Sequence, residues 1–369
     1  MSNVSSNDYF AEPSDMIAQF EQIRVMVESE YDVEDGFVEH GIPTFYVRMR
    51  EDSKEAFLRL TQRMESLRLI PVLRRIEEKV VLRAMPKPST KPSRNIVNIG
   101  LLFATLGTVF LSGYLQSLEV VDALMFTGAI IAILGSHEMG HKLLADRHAV
   151  EATYPYFIPG PPPIGTFGAV IQQKSLPPNK DALFDLGATG PIFGFIVAVV
   201  VAIIGLPLSH YEIVESTTGT LPAPILFQLV VNILPPRGIV SPGGDKILVI
   251  MLHPLAFAGW VGMFVTLVNL VPAGMLDGGH VTRSFLGERG RTVLAYLTIA
   301  MLFVMGPPFY LMAMLALFFS MYRHPGPLDD VSKITTSRKV MVLALVLIFI
   351  LCVDWFRLID TLTILVSWF

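Results

Sequence analysis

The stretch ALMFTGAIIAILGSHEMGH, residues 123–141, decides how the rest of the chain is read. Ala123 to Ser136 carries no charge and runs straight into His137-Glu138-Met139-Gly140-His141. On a helix, side chains four residues apart share a face, so His137 and His141 point the same way. Two imidazoles on one face can hold one metal ion, zinc above all. Glu138 falls beside them, where a carboxylate can take a proton from water at the metal. The competing reading is an ordinary helix that happens to contain the pentapeptide. It sits badly with the apolar run, because ionisable side chains at membrane depth are costly and are functional suspects by default.

The composition agrees. Of 369 residues, 52% are hydrophobic and only 16% charged, and the mean hydropathy is +0.55. That marks a polytopic α-helical membrane protein rather than a soluble one. A net charge of −4 gives no reason to expect a nucleic-acid partner. The single cysteine, Cys352, lies in an apolar run, which excludes disulfides and cysteine-based metal sites within one chain. Met1 to Asp15 lacks a basic stretch followed by an apolar one, so no cleavable signal peptide is expected, and the N-terminus is placed in the cytoplasm.

Four regions are expected: a disordered N-terminus (1–13), a small soluble α/β domain (14–85), a linker (86–94) and a transmembrane domain (95–369). The soluble domain reads as a helix from Ser14 and Asp15, a hairpin turning at Gly41-Ile42-Pro43, a second helix over Glu51–Leu67 and two short strands near Pro71–Leu73 and Val80–Leu82. It holds no catalytic constellation. The transmembrane domain should contain about six to seven membrane-spanning helices. Asn95–Leu118 and the segment from Val120 through His141 come first. Lys87, Lys91 and Arg94 before them, and Lys142 and Arg147 after, place the N-terminal domain and the opening of the metal site on the cytoplasmic side of what is expected to be the cell membrane.

Tyr154–Pro178 is too rich in proline and glycine to span. Within it, Gly165-Thr166-Phe167-Gly168 and on to Ile171 reads either as an extended edge able to pair with a peptide or as an irregular loop. Leu186–Ser209 spans outward, with Gly187, Gly190, Gly194 and Ala198 permitting close helix packing. Leu221–Pro236 is short and bounded by prolines, so it is read as re-entrant or interfacial. Ile247–Leu276 returns and ends at Asp277-Gly278-Gly279-His280. Pro307-Pro308 splits Thr292–Tyr322 into a hairpin, Val340–Val353 is the last apolar segment, and Asp354, Arg357 and Asp360 break the tail. A catalytic zinc needs a third protein ligand at the depth of His137 and His141. Asp277 is the best candidate and His280 its rival. His148, His210, His253 and His324 are read as interfacial or packing residues.

These motifs together resemble the site-2 protease family of intramembrane zinc metalloproteases, and most closely its archaeal and plastid-type branch. His137-Glu138-Met139-Gly140-His141 is followed, on a separate apolar segment, by Asn269-Leu270-Val271-Pro272 and then Asp277-Gly278. With the four residues Ala273–Leu276 between Pro272 and Asp277, that pattern looks like the family's N-x-x-P-x-x-x-x-D-G signature. The resemblance covers about residues 95–290. It implies Zn2+ held by His137, His141 and Asp277, Glu138 as catalytic base, and Asn269 helping to hold the substrate carbonyl or its oxyanion. It also implies that Gly165, Thr166, Phe167 and Gly168 belong to a hairpin beside the substrate. The expected partners are a transmembrane protein substrate and the lipid bilayer, with a homo-oligomer compatible with both. Neither a PDZ-like insertion nor a CBS-like domain is visible, and the N-terminal domain has no assigned counterpart. The alternative function, a metal transporter or a catalytically silent membrane metal-binding protein, would also use intramembrane His and Asp.

Overall fold

The computed structural model describes residues 13–89, 95–215, 221–236 and 246–354. The expectations for residues 1–12, for Lys91 and Arg94, and for Arg357 and Asp360 in the tail lie outside the described residues. The chain divides into two compact units.

The first unit is built mainly from residues 13–89. α1 (Pro13–Glu28) leads into β1 (Asp32–Glu39) and β2 (Ile42–Arg48); α2 (Ser53–Glu65) leads into β3 (Leu69–Ile76) and β4 (Lys79–Pro86). The strands form one antiparallel sheet in the order β1-β2-β4-β3. Its first hairpin turns on His40 and Gly41, whose φ angles of 52° and 78° suit a two-residue loop between twisted strands. The turn is thus shifted from the expected Gly41–Pro43, and Pro43 lies inside β2 opposite Val38. β2 meets β4 only from Thr44 onward, so the N–H that proline lacks costs no bond to β4.

Ile23 and Val27 of α1 and Phe57, Leu60 and Met64 of α2 close over Phe45, Leu73 and Leu82 of the sheet in one core. Tyr31 is buried with them and donates its hydroxyl to the Ser53 carbonyl at 2.9 Å. Burial pushes its phenol well above the usual tyrosine range.

The outer edge of this sheet, β3, is covered by chain from far away. Leu176–Lys180 and Pro327–Lys333 belong to this unit. Leu73 donates its N–H to the Leu328 carbonyl at 2.9 Å, and Asp330 donates to the Leu73 carbonyl at 3.2 Å. Leu328 and Asp329 donate in turn to the carbonyls of Pro177 and Pro178 at 2.8 and 2.9 Å. The Leu328 side chain enters the core, with Leu176 and Val331 packed against it. Asp329 is fully buried, and its Oδ1 accepts the N–H groups of Val331 and Ser332, both at 2.9 Å.

The second unit holds the apolar helices. α3 (Asn95–Ser117) and α4 (Val120–Arg147) make a tight hairpin, followed by a two-stranded antiparallel ribbon of β5 (Tyr156–Pro159) and β6 (Thr166–Val170). Of the two readings of this Pro/Gly-rich stretch, the extended one is found at 166–170. α5 (Lys180–Gly205) runs on through a 3-10 turn to Leu208. β7 (His210–Glu215), α6 (Ile225–Ile233), β8 (Lys246–Met251), α7 (Pro254–Leu270), α8 (Asp277–Val304), α9 (Pro307–Ser320) and α10 (Thr336–Cys352) follow. α3, α4 and α5 with its 3-10 turn, at 23, 28 and 29 residues, are long and apolar enough to cross a bilayer. α7 and residues 309–320 are shorter apolar helices.

α6 has nine residues, a rise of about 13 Å against a hydrocarbon core of about 30 Å. The ribbon of β7 and β8, with His210 opposite Met251, brings the end of α5 beside the start of α7. Small residues let the two helices touch. A Cβ on Gly205 would lie 2.4 Å from Ala256, one on Gly259 2.9 Å from Ala202, and one on Gly262 2.7 Å from Ala198. These pairs ascend one helix as they descend the other, so α7 returns from the end that α5 reaches, and residues 221–236 make no crossing between them. The expected hairpin within Thr292–Tyr322 is also present, turning at Gly306 (φ 93°) just before Pro307.

Candidate active site

α4 buries His137, Glu138 and His141 near its C-terminal end. His137 Nε2 and His141 Nε2 are 3.1 Å apart. Asp277 Oδ2 lies 3.1 Å from the first and 3.3 Å from the second. Three atoms each about 2.0–2.1 Å from one tetrahedral ion stand about 3.3 Å apart, so this triangle has the size a zinc ion requires. The imidazole chemistry fits as well. His141 Nδ1 is 2.5 Å from the Leu186 carbonyl, which can only accept, so Nδ1 carries the proton and Nε2 keeps its lone pair. The donor set is two neutral imidazole nitrogens and one carboxylate, a common catalytic zinc set.

Space for the rings comes from α5. A Cβ on Gly190 would fall 2.0 Å from His141 Nε2, and one on Gly194 3.1 Å from His137 Nδ1. Gly187 lies equally close to the backbone of Asp277 and to His280. The small residues expected to serve helix packing thus divide in two. Ala198 faces α7, while Gly187, Gly190 and Gly194 wall the cluster of His137, His141 and Asp277.

Asp277 was expected at the end of the apolar segment; it is instead the first residue of the next helix. Pro272 follows the end of α7 at Leu270, and residues 271–276 form an apolar loop. Gly278 and Gly279 let the first turn of α8 nest on that loop, since a Cβ on either would lie 2.1 Å from the Leu270 carbonyl or 2.4 Å from that of Gly274. His280 is drawn elsewhere. Gly326 donates its N–H to His324 Nδ1 at 2.9 Å, leaving His324 Nε2 to donate to His280 Nδ1 at 2.6 Å.

Glu138 Oε1 stands 3.9 Å from His137 Nε2, outside the tight triangle. Asn269 Nδ2 is 3.4 Å from His137 Nε2. Gly165 (φ 84°) seats the ribbon on α3, where Thr108 donates its hydroxyl to the Gly165 carbonyl at 2.7 Å. Thr166 donates its hydroxyl to the Ile158 carbonyl at 2.7 Å, while Phe167 is 74% exposed. Among the described residues no strand pairs with the second edge of β6.

His148 pairs with Asp185 and His253 with Asp122, at 2.8 and 3.1 Å. The Leu186 carbonyl and the glycine wall are not legible in the sequence. Only the glycine spacing carried a signal, and it did not say what the glycines face.

Residues 125–307, which include His137, Asn269 and Asp277, match the model of Peptidase family M50. The chain is similar to "Probable zinc metalloprotease EGY1, chloroplastic" of Arabidopsis thaliana, at 32% identity over 61% of this chain and 42% of that protein. It is also similar to the protein of the same name from Oryza sativa subsp. japonica, at 30% identity over 63% and 40%. "Probable zinc metalloprotease EGY2, chloroplastic" of Arabidopsis thaliana is 29% identical over 61% and 43%. The chain thus spans about two-fifths of the length of these curated relatives, none of which is named as a transporter. No solved structure matches it.

Proposed function

We propose that this chain, whose residues 125–307 match peptidase family M50, the site-2 protease family, belongs to that family and is an intramembrane zinc metalloprotease. It would hydrolyse peptide bonds within or near the transmembrane segments of membrane-protein substrates. The observation that carries the reading is the triangle of His137, His141 and Asp277, 3.1–3.3 Å on a side, with a carboxylate beside it. These three residues would hold the zinc. When bound, zinc supplies a Lewis acid that polarises the scissile carbonyl and makes water acidic near neutral pH.

Glu138 accepts the proton of the attacking water and later gives it to the leaving amine. Asn269 offers an amide donor to the developing oxyanion. A substrate helix must unwind before attack, because its backbone groups are already bonded to one another. The free edge of β6 receives the unwound strand by backbone pairing, with Gly165, Thr166, Phe167 and Gly168 forming the contact.

In this reading α7, α8 with α9, and α10 add further spans to the three long helices, giving six to seven. The site opens toward the cytoplasm of a cell membrane, on the side of the N-terminal residues 14–85. The test is cleavage of a panel of single-span membrane proteins by the purified full chain in vesicles. Cleavage should vanish with a zinc chelator and return with zinc. A zinc-loaded chain that cleaves none of them but carries zinc across the vesicle wall would establish transport instead.

A further inference from the structure

His141 depends on a single backbone atom. The bond from Nδ1 to the Leu186 carbonyl sets both the angle of the ring and the nitrogen left free for the metal. The turn of α5 that presents this carbonyl is weak by itself. It contains Gly187 and Gly190, and Pro191 lacks the N–H that would otherwise bond to the Gly187 carbonyl. Its orientation therefore needs a hold from outside the helix.

That hold is concentrated on the preceding residue. Arg338, in the first turn of α10, grips the Asp185 carboxylate with two nitrogens, Nε to Oδ1 at 2.8 Å and Nη2 to Oδ2 at 2.5 Å. Its third nitrogen, Nη1, lies 3.3 Å from Asp181 Oδ2. His148, at the end of α4, meets Asp185 Oδ2 from its own Nε2 at 2.8 Å. The Asp181 carboxylate accepts the N–H of Thr335 at 2.9 Å and also the Thr335 hydroxyl. The Asp185 side chain is only 12% exposed and that of Arg338 22%. A two-pronged arginine–carboxylate pair so shielded is strong and specific in geometry. Thr189 adds a tie, with its hydroxyl 2.8 Å from the Asp185 carbonyl and 3.2 Å from that of Gly140.

We propose that Asp185, Arg338 and His148 form a clamp that positions the metal ligand His141 through the Leu186 carbonyl. None of the three reaches a ligand atom, so they are positioning residues. The proposal rests on the metal site described above and goes beyond it: Arg338 lies outside residues 125–307, the part of the chain that matches the family.

The test needs no turnover. Zinc release from the purified full chain to an excess of chelator is followed in detergent, with helix content measured alongside. Arg338→Ala and Asp185→Asn should each release zinc at least tenfold faster at unchanged helix content. Because the two act as one unit, the double variant should release it no faster than the worse single variant. Arg338→Lys, which keeps the charge but not the fork, should fall between Arg338→Ala and wild type. Asp122→Asn breaks a pair with His253 at the far end of α4 and should release zinc at the wild-type rate. Wild-type release by Arg338→Ala, or equal acceleration by Asp122→Asn, would overturn the clamp alone. A wild-type chain that binds no zinc would overturn the metal site, and the clamp with it.

Discussion

Glu138 and Asp277 are both carboxylates of one buried cluster, and distance separates the roles proposed for them. Asp277 Oδ2 is within 3.1–3.3 Å of both imidazole nitrogens, whereas Glu138 stands 3.9 Å from the nearer one. Glu138→Gln is therefore expected to keep its zinc and to slow cleavage at least a hundredfold, about 2.7 kcal/mol of barrier. Metal analysis beside single-turnover cleavage checks both halves. For the third ligand, Asp277→Ala should lose zinc on dialysis, while His280→Ala should retain it, since His280 Nδ1 is engaged by His324. Zinc retained by the first variant and lost by the second would exchange the two assignments. Gly190 gives a sharper test of geometry. A methyl group there would fall 2.0 Å from His141 Nε2. Gly190→Ala should lose zinc although it removes no polar atom, and normal zinc content would show that α5 can give way.

Among the elements, α4 was legible because its motif and its apolar run agree on one helix. β6 was not: five residues with one glycine before them and one among them have no periodicity to set against a loop, and its partner β5 is four residues long and ends in proline. The segment ending at Asp277 was read as one apolar stretch because Val271–Leu276 is itself apolar. Only Pro272 hinted that the helix stops and that a new one begins with the acid. On α5 the glycines were visible but their neighbours were not, since a residue without a side chain does not say what approaches it. The β6 edge makes its own prediction. Gly168 has φ 106° and open space around it, so a methyl group there meets no atom and only the backbone resists. Such strain is worth about 1–3 kcal/mol and would re-aim the edge. Gly168→Ala should raise KM for a transmembrane substrate with zinc content unchanged. An unaltered KM would remove this strand from substrate capture.

At the scale of the whole chain, the first unit is not a bead on one linker. The chain passes between the two units after Lys91, Ser175, Lys180, Gly326 and Lys333. The expectation of a separate domain at 14–85 rested on its helices and strands, which are there. Nothing in Leu176–Lys180 or Pro327–Lys333 could announce that they complete it, because each is short and offers only Leu176, Leu328 and Val331 to a core. Yet Leu328 is 5% exposed in that core, and residues 328–330 close the β3 edge. An uncovered edge strand is a site for unwanted pairing, so a fragment ending near residue 90 would expose both the edge and the gap left by Leu328. A protease site placed within residues 87–91 tests this. After complete cutting, the N-terminal fragment should still co-elute with the remainder in detergent, held by the β3 pairing and the shared core. Leu328→Asp would bury an unpaired charge in that core and should release the fragment. If the fragment parts from the remainder as readily with Leu328 intact as with Leu328→Asp, the distant segments do not hold the unit together. The N-terminal residues then stand as the autonomous domain that their own helices and strands suggest.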